Sequence, residues 1–249
     1  VNGRTPLSLA VGQGNVELVK TLLDAKADPN AKDTSGRPPL LAMQFYDPQD
    51  RLTPKLIDML VAGGADIKAK GPNGQTLLHN TQYFSKAVVK RLIDAGIAVN
   101  SKNAQGLSPF HLATRWHRID MVRQLIAADA DIYATDENGQ SPLSMAMRRH
   151  YGGRPNASLE PILAAVKDPN VKVAGEYPVH IAARYGLPNV LQALATKKAN
   201  LEIEDDEGRT PLEVAMSHNQ MSAFDYLFPK TEDIGKISTN DGQGILHWA

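Results

Sequence analysis

Gly3-Arg4-Thr5-Pro6-Leu7 near the start of the chain returns unchanged far downstream as Gly208-Arg209-Thr210-Pro211-Leu212. Variants of the same phrase lie between and beyond: Gly36 to Leu40 (GRPPL), Gly74 to Leu78 (GQTLL), Gly106 to Phe110 (GLSPF), Gly139 to Leu143 (GQSPL), Tyr177 to His180 (YPVH) and Gly242 to His247 (GQGILH). The anchor residues are Pro6, Pro39, Leu77, Pro109, Pro142, Pro178, Pro211 and Ile245, at successive spacings of 33, 38, 32, 33, 36, 33 and 34. A fixed period of this size marks an array of stacked supersecondary units.

The chemistry within one period explains itself. Thr or Ser before Pro reads as a helix N-cap, and Pro at the first helical position gives up no hydrogen bond. His79, His111, His180 and His247 stand two residues after the anchor, where an imidazole can tie neighbouring backbone loops together. Gly14 and Gly186 mark a tight turn, after which a second apolar segment runs at helical spacing: Val16, Leu18, Val19, Leu22 and Leu23 in the first period; Val88, Val89, Leu92 and Ile93, then Met121, Val122, Leu125 and Ile126, later. Gly64 and Gly96 stand where a left-handed C-cap is wanted. Ala-Asp pairs (Ala27-Asp28, Ala65-Asp66, Ala130-Asp131) then lead into connections rich in turn-forming Asp, Asn and Gly.

This pattern resembles the ankyrin repeat family along the whole chain, with residues 2–33, 106–137 and 177–207 as its fullest units. The resemblance implies an all-α fold: an ankyrin-repeat solenoid of stacked helix-turn-helix units with β-hairpin-like fingers and a concave inner face. A single array over residues 1–249 is expected, with units starting near 2, 35, 73, 105, 138, 175, 207 and 241 and the last one incomplete at Ala249. Continuation of the chain, or a makeshift cap from Leu246 and Trp248, would cover the apolar end of that last unit. Val1 in place of Met leads us to expect further residues upstream: a cleaved signal peptide, a tag or a head segment.

Several units depart from the pattern. Two carry insertions between their helices, around Asp47 to Pro54 and around Tyr151 to Ala157, read as surface loops or added contact ledges. The third has Leu77 in place of the anchor proline, and the fifth closes on Val166-Lys167-Asp168 without Gly-Ala-Asp. Pro229 ends the second helix of the seventh.

Composition narrows the function. Lys plus Arg and Asp plus Glu number 27 each, a balance that argues against coating nucleic acid or an anionic membrane. Cysteine is absent, which removes disulfides, Cys-ligated zinc and thiol nucleophiles, and leaves export to an oxidising compartment harmless. No apolar run reaches the roughly 18 residues of a membrane span. No phosphate loop, nucleophile elbow or His-Glu-x-x-His is present, so neither catalytic residues nor a metal or cofactor is expected. His117, His150 and His218 lie outside the repeat pattern without a third ligand at telling spacing, and the acidic run Glu202 to Glu207 reads as a charged finger.

One constellation remains. In the family, two positions closing each first helix face the concave groove and vary with the partner. Alignment places there Gly12 and Gln13, then Phe45 and Tyr46, Tyr83 and Phe84, Arg115 and Trp116, Arg148 and Arg149, Arg184 and Tyr185, and finally Ser217 and His218. The ten positions of the five middle units are all aromatic or arginine, the types that dominate binding hot spots. Stacking of Arg on a neighbouring ring is the competing use of such residues. Arg154 on the second insertion extends the positive end, and Gln105, Leu107, Tyr133, Asn138 and Gln140 are finger residues positioned to assist. The expected function is protein binding by a chain monomeric on its own. The expected partner is a protein, such as an enzyme with an acidic or carboxylate-rich cleft. Within that class the resemblance to compact bacterial ankyrin proteins, some of them periplasmic, implies an inhibitor or immunity protein covering the active site of an enzyme such as a cell-wall hydrolase. A cytoplasmic scaffold is the alternative, and nucleic-acid binding stands behind both.

Overall fold

Every anchor from Pro6 to Pro211 begins a helical turn in the computed structural model, which describes residues 3–43, 52–80, 82–150 and 157–232, with residues 149 and 150 described by backbone alone. The chain forms two compact units. The first, Val1–Asp131, contains α1 (Pro6–Gly12), α2 (Val16–Asp24), a 3-10 turn (Pro39–Ala42), α3 (Leu52–Ala62), a second 3-10 turn (Leu77–Asn80), α4 (Lys86–Asp94), α5 (Pro109–Arg115) and α6 (Ile119–Ala127). The second, Ile132–Ala249, contains α7 (Pro142–His150), α8 (Leu159–Ala165), α9 (Pro178–Arg184), α10 (Pro188–Thr196), α11 (Pro211–Ser217), α12 (Met221–Leu227) and a 3-10 turn (Phe228–Lys230). The expected eighth unit, with Ile245, Leu246, His247 and Trp248, lies outside the described residues.

Helices of seven to nine residues are too short to persist alone and depend on stacking. Inner helices pack on inner ones and outer on outer: α2 on α3 and α4 on α6 in the first unit, α7 on α9, α9 on α11, α8 on α10 and α10 on α12 in the second. The fourth residue after the anchor makes this possible. Ala10, Ala113, Ala146, Ala182 and Ala215 are each 0% exposed, and a side chain of one carbon lets successive inner helices approach closely. The residue after each anchor (Leu7, Leu40, Leu78, Phe110, Leu143, Val179, Leu212) is buried and supplies the apolar filling. Among the described residues the fold is helical and has no strand.

Side-chain caps start inner helices whose anchor follows Thr or Ser, as the sequence predicts, while α9 after Tyr177 and the turn after Pro38 have none. Thr5 Oγ1 accepts from the Ser8 N–H at 3.1 Å, and Thr210 and Glu213 form a reciprocal capping box. At the far end the chain reverses through a left-handed residue, Gly14 (φ 69°) and Gly186 (φ 63°) as expected, with His117 (φ 53°) and Asn219 (φ 54°) in the equivalent places. Outer helices end likewise at Gly64 and Gly96, and also at Lys26, Asp129 and Lys198. The finger turns share one device: an Asp or Asn carboxyl or amide oxygen accepts two backbone N–H groups, those two and four residues on. Asp33, Asn103, Asp136 and Asp205 all do this at 2.9–3.0 Å. The finger before α9 is instead a tight hairpin turn, with an antiparallel bridge between Val173 and Glu176 and positive φ at both Ala174 and Gly175.

The irregular units resolve physically. Part of the first insertion lengthens the outer helix, since Leu52, Thr53 and Pro54 open the 11-residue α3; its remainder, with the second insertion up to Asn156 and Arg154, lies outside the described residues. The fifth unit lacks its Gly C-cap, and α8 ends on an extended Val166. Lys197, at the end of α10, replaces the missing cap by donating from Nζ to the Ala164 and Val166 carbonyls at 3.0 and 2.9 Å.

Candidate functional site

Residues at the ends of the inner helices occupy three different local structures. In the regular repeats the second of each pair is the helix C-cap. Trp116 caps α5 (φ −93°, ψ 9°) and Tyr185 caps α9 (φ −97°, ψ 7°), each ahead of the left-handed residue that turns the chain. A C-cap followed at once by that reversal projects its side chain past the end of the helix. Trp116 is accordingly 53% exposed, the most exposed large apolar side chain of the described residues. Arg115 and Tyr185 are half-buried. Arg148 is exposed but differs in setting: α7 runs on to His150, so Arg148 and Arg149 lie in the helix's last turn and neither is its C-cap. The Arg149 side chain, with Phe45 and Tyr46, lies outside the described residues.

The third unit corrects one expected contact. Phe84 is 2% exposed and belongs to the core, out of reach of any partner. Its outer helix starts nine residues after the anchor (Leu77 to Lys86), whereas α2, α6, α10 and α12 start ten after theirs. With one residue fewer and only a 3-10 turn for an inner helix, Phe84 falls directly before Ser85, the N-cap of α4, where apolar side chains fold back onto the helix. Tyr83 stays half-buried at the rim. Leu107, expected to assist on a finger, is also buried (7% exposed). Tyr133 donates its hydroxyl to the Asp168 carbonyl at 2.7 Å, while Gln105 and Asn138 are exposed.

The electrostatics were only partly visible in sequence. Arg184 forms an ion pair with Glu176 of the preceding finger, both largely shielded, so its charge is already met inside the protein. Glu176 was missed because its link to Arg184 spans a hairpin whose geometry no spacing reveals. The acidic run is structural in part: Asp205 holds its finger turn and receives Arg209 through two nitrogens at 3.0 and 2.9 Å. Burial pushes the Asp205 carboxyl up, but the Arg209 backbone N–H and guanidinium and the Glu207 N–H outweigh it and hold it below the usual value. Asp206 pairs with Lys172.

Of the repeat histidines, His79, His111 and His180 are buried, and burial favours the neutral ring at His79 and His180. His79 Nδ1 accepts from the Thr76 N–H at 3.0 Å, which leaves Nε2–H to donate to the Leu107 carbonyl on the next finger at 3.2 Å. His180 Nε2 reaches the Arg209 carbonyl at 2.8 Å, so both tie neighbouring loops together as expected. Burial lowers the pKa of both, that of His79 to about 4. His218 Nδ1 bonds locally to Ser217 and the Val214 carbonyl, and His117 is exposed. Among the described residues no group of three His, Asp or Glu side chains is arranged to hold a metal ion, and no helix is long and apolar enough to cross a membrane.

Comparison with known proteins agrees with this geometry. A family model for ankyrin repeats in three copies matches residues 50–136, 88–157 and 143–241, and one for a single ankyrin repeat matches residues 2–34. Human SH3 and multiple ankyrin repeat domains protein 2 is 28% identical over 217 residues, which are 85% of this chain and 11% of that protein. The mouse B-cell lymphoma 3 protein homolog is 27% identical over 227 residues, 87% of this chain and 49% of that protein. This chain therefore spans half or less of these relatives. Among solved structures, the ankyrin repeat domain of Bcl-3, described as a unique member of the IkappaB protein family, matches with a TM-score of 0.74 at 25% identity, covering 92% of this chain and 100% of that one. The human ASB11 ankyrin repeat domain matches with a TM-score of 0.67 at 21% identity, covering 92% and 99%, a likeness of fold alone.

Proposed function

The chain belongs to the ankyrin repeat family, whose repeats are protein–protein interaction modules, and from that premise we propose that it binds its partner through the inner-helix ends of both units. The contributing side chains are Tyr83, Arg115 and Trp116 in the first unit and Arg148, Arg184 and Tyr185 in the second, and the sequence pattern adds Phe45, Tyr46 and Arg149. The observation that carries this reading is Trp116: a large rigid ring more than half exposed, at a backbone position built to project it, beside Arg115. Water does not select tryptophan at such a place, whereas interface cores do. The arginines favour a partner rich in carboxylates, bound in planar two-point contacts. Arg184 supports this less than Arg148, because a partner carboxylate must displace Glu176 to reach it.

We further propose that the partner is an enzyme with a carboxylate-lined cleft, such as a cell-wall hydrolase, which this protein covers as an inhibitor in a self-protection role. The scaffold reading is favoured by a different observation: the chain matches 11% of a long human relative whose name gives it an SH3 domain beside its ankyrin repeats. Capture of the partner on the intact chain, followed by titration, tests both. Trp116→Ala and Arg149→Ala should each weaken binding by about 2 kcal/mol, roughly 30-fold in Kd. Unaltered affinity in both variants removes the inner-helix ends as the interface. A captured enzyme whose activity falls to zero at one equivalent supports inhibition, and a captured partner without enzymatic activity, or one still active at saturation, leaves the scaffold.

A further inference from the structure

Four fingers fold around an Asp or Asn oxygen, one is the tight hairpin at Val173, and one keeps the turn without the oxygen. At the finger between the second and third repeats the pivot position is Gly71. The backbone there is nevertheless the same: Gly71 N–H donates to the Gln75 carbonyl at 2.8 Å and Gly74 N–H to the Gly71 carbonyl at 2.9 Å, matching Asp33 to Arg37 and Gly36 to Asp33 at 3.0 and 2.8 Å. The Asn73 and Gln75 N–H groups therefore point to one spot, as the Ser35 and Arg37 N–H groups do toward the Asp33 carboxylate. In the Gly71 finger neither N–H has an acceptor among the described residues. A cleft opens at this turn, lined by Arg37, Leu41, Asn73, Gln75 and Thr76, and the Arg37 side chain makes no hydrogen bond or ion pair among the described residues.

We propose that the Gly71 turn and Arg37 form a carboxylate-binding site. An external carboxylate places one oxygen where the other fingers hold their own, accepting from the Asn73 and Gln75 N–H groups, and turns toward the Arg37 guanidinium. Converging backbone N–H groups with an adjacent guanidinium are the chemistry of anion recognition. Lys70, exposed and next in sequence, adds attraction at longer range. The source of the carboxylate is an Asp or Glu side chain on another protein or a free small carboxylate; the site lies on a finger and stands apart from the inner-helix ends.

The other fingers supply the decisive variant. Gly71 is not in the left-handed region, and a Cβ built there meets the flexible tip of Leu41, at 3.2 Å from Cδ1, and the Gln75 carbonyl oxygen at an ordinary contact distance of 3.7 Å, so Gly71→Asp can restore the internal carboxylate. The measurement follows the backbone amide resonances of Asn73 and Gln75 by NMR during titration with sodium acetate, against sodium chloride at equal ionic strength. A second arm uses a capped Gly-Asp-Gly tripeptide against Gly-Asn-Gly. Saturable shifts at these two amides with acetate or the Asp peptide are expected, and their loss in Gly71→Asp together with a raised midpoint of thermal unfolding. Arg37→Gln, which removes a half-buried side chain with no hydrogen bond or ion pair among the described residues, should weaken the affinity roughly tenfold or more. Saturation by acetate alone assigns a free carboxylate, and by both assigns a protein side chain. Shifts no larger than with chloride and the Asn peptide, or shifts unchanged in Gly71→Asp or in Arg37→Gln, overturn the site.

Discussion

Acidification should weaken the fold through its buried histidines, His79 above all. His79 is 2% exposed and makes two hydrogen bonds, one of which requires the neutral ring: Nδ1 accepts from the Thr76 N–H, while Nε2–H donates across to the Leu107 carbonyl in either state. A proton on Nδ1 removes the acceptor and leaves a charge in the stack. Burial, the largest cause, brings its pKa from 6.5 to about 4. The sign follows directly. Below pH 6.5 the unfolded chain takes up a proton that the folded chain refuses, so stability is complete above that pH and falls as pH drops toward 4. The 2.5-unit gap corresponds to about 3 kcal/mol, with a limiting slope of about 1.4 kcal/mol per pH unit. His180 acts in the same direction. Asp33 and Asp205, both held below 3.8, lose their contribution only at lower pH. Urea denaturation followed by far-UV circular dichroism from pH 7.5 to 4.5 measures the effect. The His79→Gln variant, which can still cap the helix start, should be less stable at pH 7.5 but show a shallower pH dependence by up to one proton. Parallel pH profiles for the two chains would refute the assignment of the loss to His79.

Two further substitutions separate core from surface and test the turns. Phe84→Ala should cost about 3–5 kcal/mol because it opens a cavity under α4, while Trp116→Ala should change stability by no more than about 0.5 kcal/mol; similar losses in urea denaturation of the two variants would contradict their assigned places. Lys26 holds the left-handed position that Gly64 and Gly96 hold elsewhere and is exposed. Lys26→Gly should therefore stabilise by about 0.5–1 kcal/mol, and a lower urea midpoint for that variant would show that its side chain has a packing role.

How much of this was legible in the sequence depends on the range of the interaction concerned. Pro6 to Pro211 mark the inner helices because a cap, a proline and a left-handed residue act within one turn of the chain. The same locality made Gly64, Gly96 and the C-cap position of Trp116 readable. Phe84 was misread because the alignment assumed a ten-residue step that the third unit shortens by one, and one residue is enough to turn a side chain from rim to core. The internal pairing of Arg184 with Glu176 and the capping of α8 by Lys197 were beyond sequence for another reason: each joins residues whose approach is set by a hairpin or by the next repeat.

The order of residues alone thus determined the repeat, its period, the starts of its helices and the chemical character of their ends, since hydrogen bonds over three or four residues need no distant partner. Tertiary structure alone decided which of those end residues meet solvent, which charges are already paired and where a finger lacks its own acceptor, because burial and ion pairing depend on what the stack brings alongside.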